Sequence, residues 1–172
     1  IAKIINAQAS ELIFTSNATE ATNWILRSAV KDLSVKRILT SKIEHHATLH
    51  TIEHLASEFG IKVEYISILP SGQIDYQDLA AKLLSDEFTL VSLIHVNNEI
   101  GTVLDVKRVS DLCKYAKALF HCDTVQSVTK MKIDVQELGI DFLVATAHKF
   151  HGPKGVGFAY LKKNSMLQPM LF

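Results

Sequence analysis

Cysteine is scarce in this chain of 172 residues. Cys113 and Cys122 are the only two, too few for a disulfide framework. No apolar run reaches the roughly 20 residues that a membrane-spanning helix requires. Neither sign of charge dominates, because 18 basic and 18 acidic residues cancel. With no block of one sign, a nucleic-acid footprint and an acidic tail are both excluded as expectations. The opening IAKIINAQASELIF lacks the charged, apolar and small-residue regions of a secretory signal. These absences point to a reducing, cytoplasmic setting. No repeat, linker or low-complexity stretch divides the chain. HExxH, GxGxxG and GxxxxGK[ST] are missing too, so the glycines of HGPKGVG do not form a phosphate loop of that kind. The first residue is Ile, so the chain is expected to be a piece of a longer protein.

What is present is ordinary globular composition, 48% hydrophobic and 21% charged. Length suffices for one well-buried domain. Strand-like and helix-like segments alternate. ELIFTS (11–16), KRILTS (36–41), IKVEYISI (61–68), FTLVSLIHV (88–96), ALFHC (118–122), FLVATA (142–147) and GVGFAYL (155–161) read as strands. Helical spacing runs from Thr19 to Lys31, from Ala47 to Phe59 with Gly60 closing it, from an Asp75 cap to about Leu84, and from Val106 to Ala118. This is the pattern of βαβ units, and it predicts a single three-layer α/β/α domain on a mainly parallel sheet. In such sheets ligands bind beyond the carboxyl ends of the strands.

The polar residues at those ends are therefore the candidates. The first strand leads into SNATEATN, where Ala18 and Thr19 open a helix. Taken alone, this reads first as a helix start capped by Ser16 or Asn17, and second as an anion site suited to a phosphate. The second strand leads into IEHHATLHTIEH. His46, His50 and His54 share one helix face, which defines an alternative reading as a metal-binding module. Spacing supplies no further ligand, so a solvated face is the favoured expectation for His50 and His54, and no metal site is assigned. His45 precedes the helix, where its ring could cover a flat ligand.

The strand FTLVSLIHV ends in Asn97, Asn98 and Glu99, with turn backbone the default partner of Glu99. The strand ALFHC ends at Asp123, with Gln126 three residues on; Asp123 taken singly is as readily a helix cap. FLVATA ends at Thr146, His148 and Lys149. A lysine at the mouth of a buried strand is costly unless its amine has a task. An acid and an amine at two strand ends, with an anion site at a third, match pyridoxal 5′-phosphate (PLP). That cofactor needs an amine for its aldehyde, an acid for its ring nitrogen and a cradle for its phosphate. Burial and the neighbouring His148 are expected to activate the amine of Lys149. Gly152, Gly155 and Gly157 are expected to turn the chain away without crowding the ring.

At these residues the sequence resembles the cysteine desulfurases of the NifS/IscS type, in the class V branch of the aspartate-aminotransferase-like PLP enzymes. The resemblance runs in order through FTSNATEATN, IEHHAT, LIHVNNEIGTV, HCDTVQSVTK and ATAHKFHGPKGVG, nearly the whole chain. Each motif is moderately specific, and five in register are very specific.

The resemblance implies the large domain of fold type I and these roles. Lys149 forms the Schiff base and moves the proton at the substrate Cα. Asp123 pairs with the ring nitrogen. Gln126 bonds the ring hydroxyl, with Asn98 on the same side. His45 stacks on the ring and acts as an acid or base. Ala18, Thr19, Thr146 and His148 hold the phosphate. At Thr146 relatives usually carry Ser or Gly; a hydroxyl is retained.

The implied reaction takes L-cysteine to L-alanine, with sulfur passed to an enzyme cysteine as a persulfide for iron–sulfur cluster assembly. The implied partners are a sulfur-acceptor protein and a second subunit in a homodimer. The sulfur-accepting cysteine, the substrate-carboxylate arginine and the small domain of the resembling enzymes have no counterpart here. Residues 1–172 are accordingly expected to be a cofactor domain, inactive alone and a weak binder of PLP. Cys113 is expected in the core and Cys122 at the site's lining. A selenocysteine lyase, an aminotransferase of the same class and an inert fragment stand as alternatives.

Overall fold

The computed structural model describes residues 1–169. Its frame is one seven-stranded sheet: β1 (Leu12–Thr15), β2 (Arg37–Ser41), β3 (Lys62–Ile66), β4 (Thr89–Ile94), β5 (Leu119–Asp123), β6 (Phe142–Thr146) and β7 (Gly157–Leu161). The spatial order is β1-β7-β6-β5-β4-β2-β3. β2, β3, β4, β5 and β6 run parallel, while β7 is antiparallel to both β6 and β1. The five helices are α1 (Ala18–Lys31), α2 (His46–Phe59), α3 (Tyr76–Lys82), α4 (Val106–Tyr115) and the single turn α5 (Val135–Leu138).

Local chemistry explains the helix bounds. Asn17 accepts the Glu20 N–H, and Glu20 reaches back to the Ser16 N–H at 2.8 Å, so both halves of a capping pair hold the start of α1. Asp75 and Asp105 cap α3 and α4 by accepting first-turn N–H groups, without the reciprocal bond. Gly60 ends α2 at φ +65°, a conformation that costs a residue without Cβ nothing. α4 stops at Tyr115, short of the expected Ala118, because Lys117 enters the left-handed region and the Ala118 N–H turns back to Cys113 O at 2.8 Å. The short α5 was not expected; its single turn carries too little periodicity to be read.

Two cores sandwich the sheet. α1 and α2 cover one face through Ile25, Leu26, Ile52 and Leu55 against Ile38, Leu90, Val144 and Ala159. α3, α4 and α5 cover the other through Leu79, Val109 and Val135 against Leu39, Val91, Phe120 and Leu143. Each fully buried aliphatic side chain contributes roughly 1.5–3 kcal/mol by leaving water. Every residue of β4 is buried, as the unbroken apolar run implied.

From β2 the chain moves outward to β3, then returns past β2 to enter β4. At this reversal the β2–β4 ladder ends at Leu39–Val91, and beyond it Thr40 Oγ1 reaches Ser92 O at 3.0 Å. The strands part at their carboxyl ends, where a crevice opens.

Candidate functional site

Beyond the carboxyl ends of β2, β4, β5 and β6 lies an open cleft of ≈ 630 Å³, solvent space included. All nine residues singled out from the sequence line it: Ala18, Thr19, His45, Asn98, Asp123, Gln126, Thr146, His148 and Lys149. Asn17, Thr22, Ala47, Ile94 and Val125 complete the wall. Asn17 was read only as a helix cap, and the other four carried no sequence signal of their own, because small and apolar lining is indistinguishable from core.

Asp123 forms the floor. It closes β5, is 6% exposed, and its Oδ1 accepts the Val125 N–H at 2.9 Å. Its other oxygen has no protein hydrogen bond among the described residues. Burial pushes its carboxyl up from the ordinary range; the Val125 N–H and the nearby His45 pull it back.

One wall is the start of α1. Backbone N–H groups of a first turn lack helical partners, and Ala18 and Thr19 present theirs at the cleft with the positive end of the helix dipole. Close packing holds this turn in place. A Cβ on Gly157 would sit 2.6 Å from the backbone carbon of Asn17 and 2.8 Å from Ala145 O, so only glycine lets β7 pass beneath the helix start. A Cβ on Gly152 would meet that of Ala147 at 2.7 Å. Gly152 and Gly157 thus serve backbone packing rather than clearance for a ring, while Gly155 supplies a left-handed turn at φ +82° with open space around it. Opposite, Thr146 Oγ1 lies 3.2 Å from His148 Nδ1.

His45 stands at the rim as the N-cap of α2. Its Nδ1 accepts the Ala47 N–H at 3.1 Å, so the neutral ring carries its proton on Nε2. Lys149 sits in the 3-10 turn Ala147–Lys149 and, contrary to the expectation of burial, is exposed along with His148. The turn begins where β6 ends, and this carries the lysine out of the sheet's protected interior. Among the described residues its amine makes no ion pair. Asn98 is exposed beside the turn formed by Asn97, whose Oδ1 accepts the N–H groups of Glu99 and Ile100.

One further expectation is corrected, and the alternative metal reading is set aside. Cys122 does not line the cleft. Side chains alternate along a strand, so with Asp123 facing the cleft Cys122 points into the opposite core beside Cys113 and Phe120. Burial pushes both thiols well above their ordinary range. The helix histidines do not assemble a metal centre: the rings of His46 and His50 lie 5.4 Å apart, while His54 turns to Glu58 at 3.2 Å. No group of three or more His, Cys, Asp or Glu among the described residues could hold a metal ion.

A half-open buried acid, an exposed amine, an anion-binding helix start and a ring at the rim, on a sheet of this order, define a cofactor cleft of the fold type I kind. The aminotransferase class-V model matches residues 1–172, and the chain belongs to that family. It is 41% identical over 173 residues to a cysteine desulfurase IscS of Clostridium botulinum (strain Kyoto / Type A2), covering 99% of this chain and 43% of the relative. Against the IscS of Vibrio vulnificus (strain YJ016) it is 40% identical over 170 residues, 98% of this chain and 42% of the relative. A solved NifS-like protein superposes with a TM-score of 0.93 at 37% identity, covering 99% of this chain and 47% of the other. A structure described as SspA in complex with cysteine gives 0.93 at 35%, covering 99% and 50%. The chain therefore spans less than half the length of the curated relatives it matches.

Members of this family depend on PLP, and the residues present fit it. The open oxygen of Asp123 calls for a cationic donor such as a protonated ring nitrogen. The α1 start calls for an anion, and Lys149 offers a free amine to an aldehyde. No helix among the described residues is long and apolar enough to cross a membrane.

Proposed function

We propose that residues 1–172 form the cofactor-binding large domain of a PLP-dependent cysteine desulfurase, which takes sulfur from L-cysteine and leaves L-alanine. One observation carries the reading: a single cleft gathers Lys149, Asp123 and the α1 start, and it does so in a chain about 40% identical to cysteine desulfurases. The cysteine-bound SspA structure supports the substrate.

When bound, the cofactor supplies an electron sink for the pair released at the substrate Cα. Lys149 would hold the cofactor through its aldehyde and would move the proton at the substrate Cα. Asp123 would pair with the ring nitrogen and keep it protonated, and the gain of that cationic partner would offset the cost of burying the carboxylate. The N–H groups of Ala18 and Thr19, with Thr146 and His148, hold the phosphate. Gln126 and Asn98 bond the ring hydroxyl side. His45, its Nδ1 tied to Ala47, covers the ring and donates from Nε2.

Neither cysteine can take the sulfur, since both lie in the core across the sheet. The reading therefore assigns the accepting thiol to another part of the whole protein, along with the substrate-carboxylate cation, and these residues alone are expected to be inactive. It further implies a homodimer, a sulfur-acceptor partner for cluster assembly, and a cytoplasmic setting where thiols stay reduced.

The test is an absorption titration of the protein with PLP beside Lys149→Ala. A visible band that borohydride fixes onto Lys149 and that the variant loses supports the reading. A band of equal strength in the variant, or label on another lysine, sinks the assignment of Lys149.

A further inference from the structure

Glu44 stands one residue before His45 and has no part in the scheme above. It is 6% exposed, placed where β2 and β4 separate. Its Oε1 accepts the Ser41 hydroxyl at 2.5 Å, and Ser41 Oγ accepts the Ile43 N–H at 3.4 Å. Its Oε2 is buried with no partner among the described residues. The surrounding loop is tied at each step. Asn97 donates Nδ2 to Ile43 O at 2.7 Å, and the Ala47 N–H reaches His45 Nδ1. Glu44, with Ser41 and Asn97, is one of the buried side chains that tie this loop inward.

A charged carboxylate with an open oxygen is poorly placed here. β5 presents Asp123 and Cys122, acids both. On β4's side the nearest titratable group is His95, itself buried with Nδ1 unpaired and held neutral by that burial. Its own loop offers only His45 at the rim, and Lys42, which turns away over Tyr65. The remaining lining, Gly72, Gln73, Ile74, Thr102 and Leu104, has no titratable group. No fixed cation faces Glu44. Burial pushes its carboxyl up to about 8; the Ser41 hydroxyl and the backbone N–H of Ile94 offset part of this, and the charge of Asp123 adds to the rise.

We infer that Glu44 is a positioning residue of this site. As a neutral acid in the mouth between β2 and β4, it holds the loop from Ser41 to Ala47, and with it the ring of His45, without placing a second charge beside Asp123. Its service to a cofactor rests on the proposed function; its hold on the loop does not.

Glutamine keeps the shape and hydrogen bonding of a neutral Glu44 but cannot ionise. A carboxyl raised in the folded state lends stability that is fully present below its unfolded range and is lost as pH rises through about 8. Unfolding midpoints of the cofactor-free protein and of Glu44→Gln, from pH 5 to 9, read this directly. The difference between them is expected to move by on the order of 5 °C in favour of the variant across that range. Parallel curves overturn the neutral acid. The positioning role is read from the ring nitrogens of His45 by 15N NMR. Glu44→Ala should blur the single Nε2–H tautomer and Glu44→Gln should retain it; an unchanged ring in the Ala variant overturns it. Adding PLP to the same proteins and to Lys149→Ala keeps the readings apart, because a missing adduct counts against the cofactor assignment alone.

Discussion

At the amino-terminal ends of β2 and β4, Arg37 is 3% exposed and every arm of its guanidinium is engaged. Nε donates to Thr89 Oγ1 at 3.0 Å, Nη1 to Glu64 at 3.1 Å and Nη2 to Lys82 O at 2.8 Å. Just beyond the carboxyl ends of the same strands, Glu44 and His95 each keep a buried polar atom without a partner among the described residues, and at the end of β5 Asp123 keeps an oxygen open toward the cleft. One end spends its polar groups on holding the fold. The other leaves them unspent, and an unsatisfied buried group is stable only where something else completes it or where it stays neutral. The contrast separates a structural buried charge from a functional one more sharply than burial alone, which is alike for Arg37 and Asp123.

The contrast can be broken from either side. The largest effect belongs to Arg37→Ala, which strands Thr89, Glu64 and the Lys82 carbonyl. We expect a loss of about 3 kcal/mol in denaturant unfolding, with cofactor affinity unchanged once the protein is folded. Arg37→Ala that leaves stability intact removes the distinction. Next comes Asp123→Asn. Its carboxyl is raised in the cofactor-free fold, so its stabilising share is present at low pH and lost as pH rises through the folded value. The Asn variant should therefore be the more stable apoprotein near pH 7, yet bind PLP at least about tenfold more weakly, roughly 1.4 kcal/mol. A variant that loses both stability and affinity would place Asp123 with Arg37 instead. The smallest is Asn17→Ala, which removes the bond to the Glu20 N–H. We expect about 1 kcal/mol of lost stability and a mild rise in the dissociation constant for inorganic phosphate, both read by thermal shift with and without the anion.

Much of the fold was legible because it rests on local rules. The seven strands and four main helices follow from apolar spacing, Asp and Asn caps and one C-terminal glycine, and each expected strand overlaps the observed one. The strand-end rule offered candidates, the resemblance to NifS/IscS-type desulfurases narrowed them to nine residues from five separate stretches, and the fold brings all nine together. What was not legible depended on direction and depth. Cys122 adjoins Asp123 in sequence yet faces the other core, because the two-residue period of a strand puts neighbours on opposite sides. Lys149 was expected buried and is exposed, since a 3-10 turn replaces the last step of β6. Glu44 was not singled out from the sequence; only its place where β2 parts from β4 makes it a buried acid.

The sequence by itself determined the alternation of strands and helices, their caps, and which polar side chains stand at strand ends. Those are set by spacing and by hydrogen bonds that span a few residues. Only the tertiary structure decided that Ala18, His45, Asp123, Thr146 and Lys149 meet in one cleft, that the cysteines do not, and that Glu44 lies buried near the charge of Asp123. Those outcomes depend on sheet order and on the local dielectric, and both arise only when distant segments pack together.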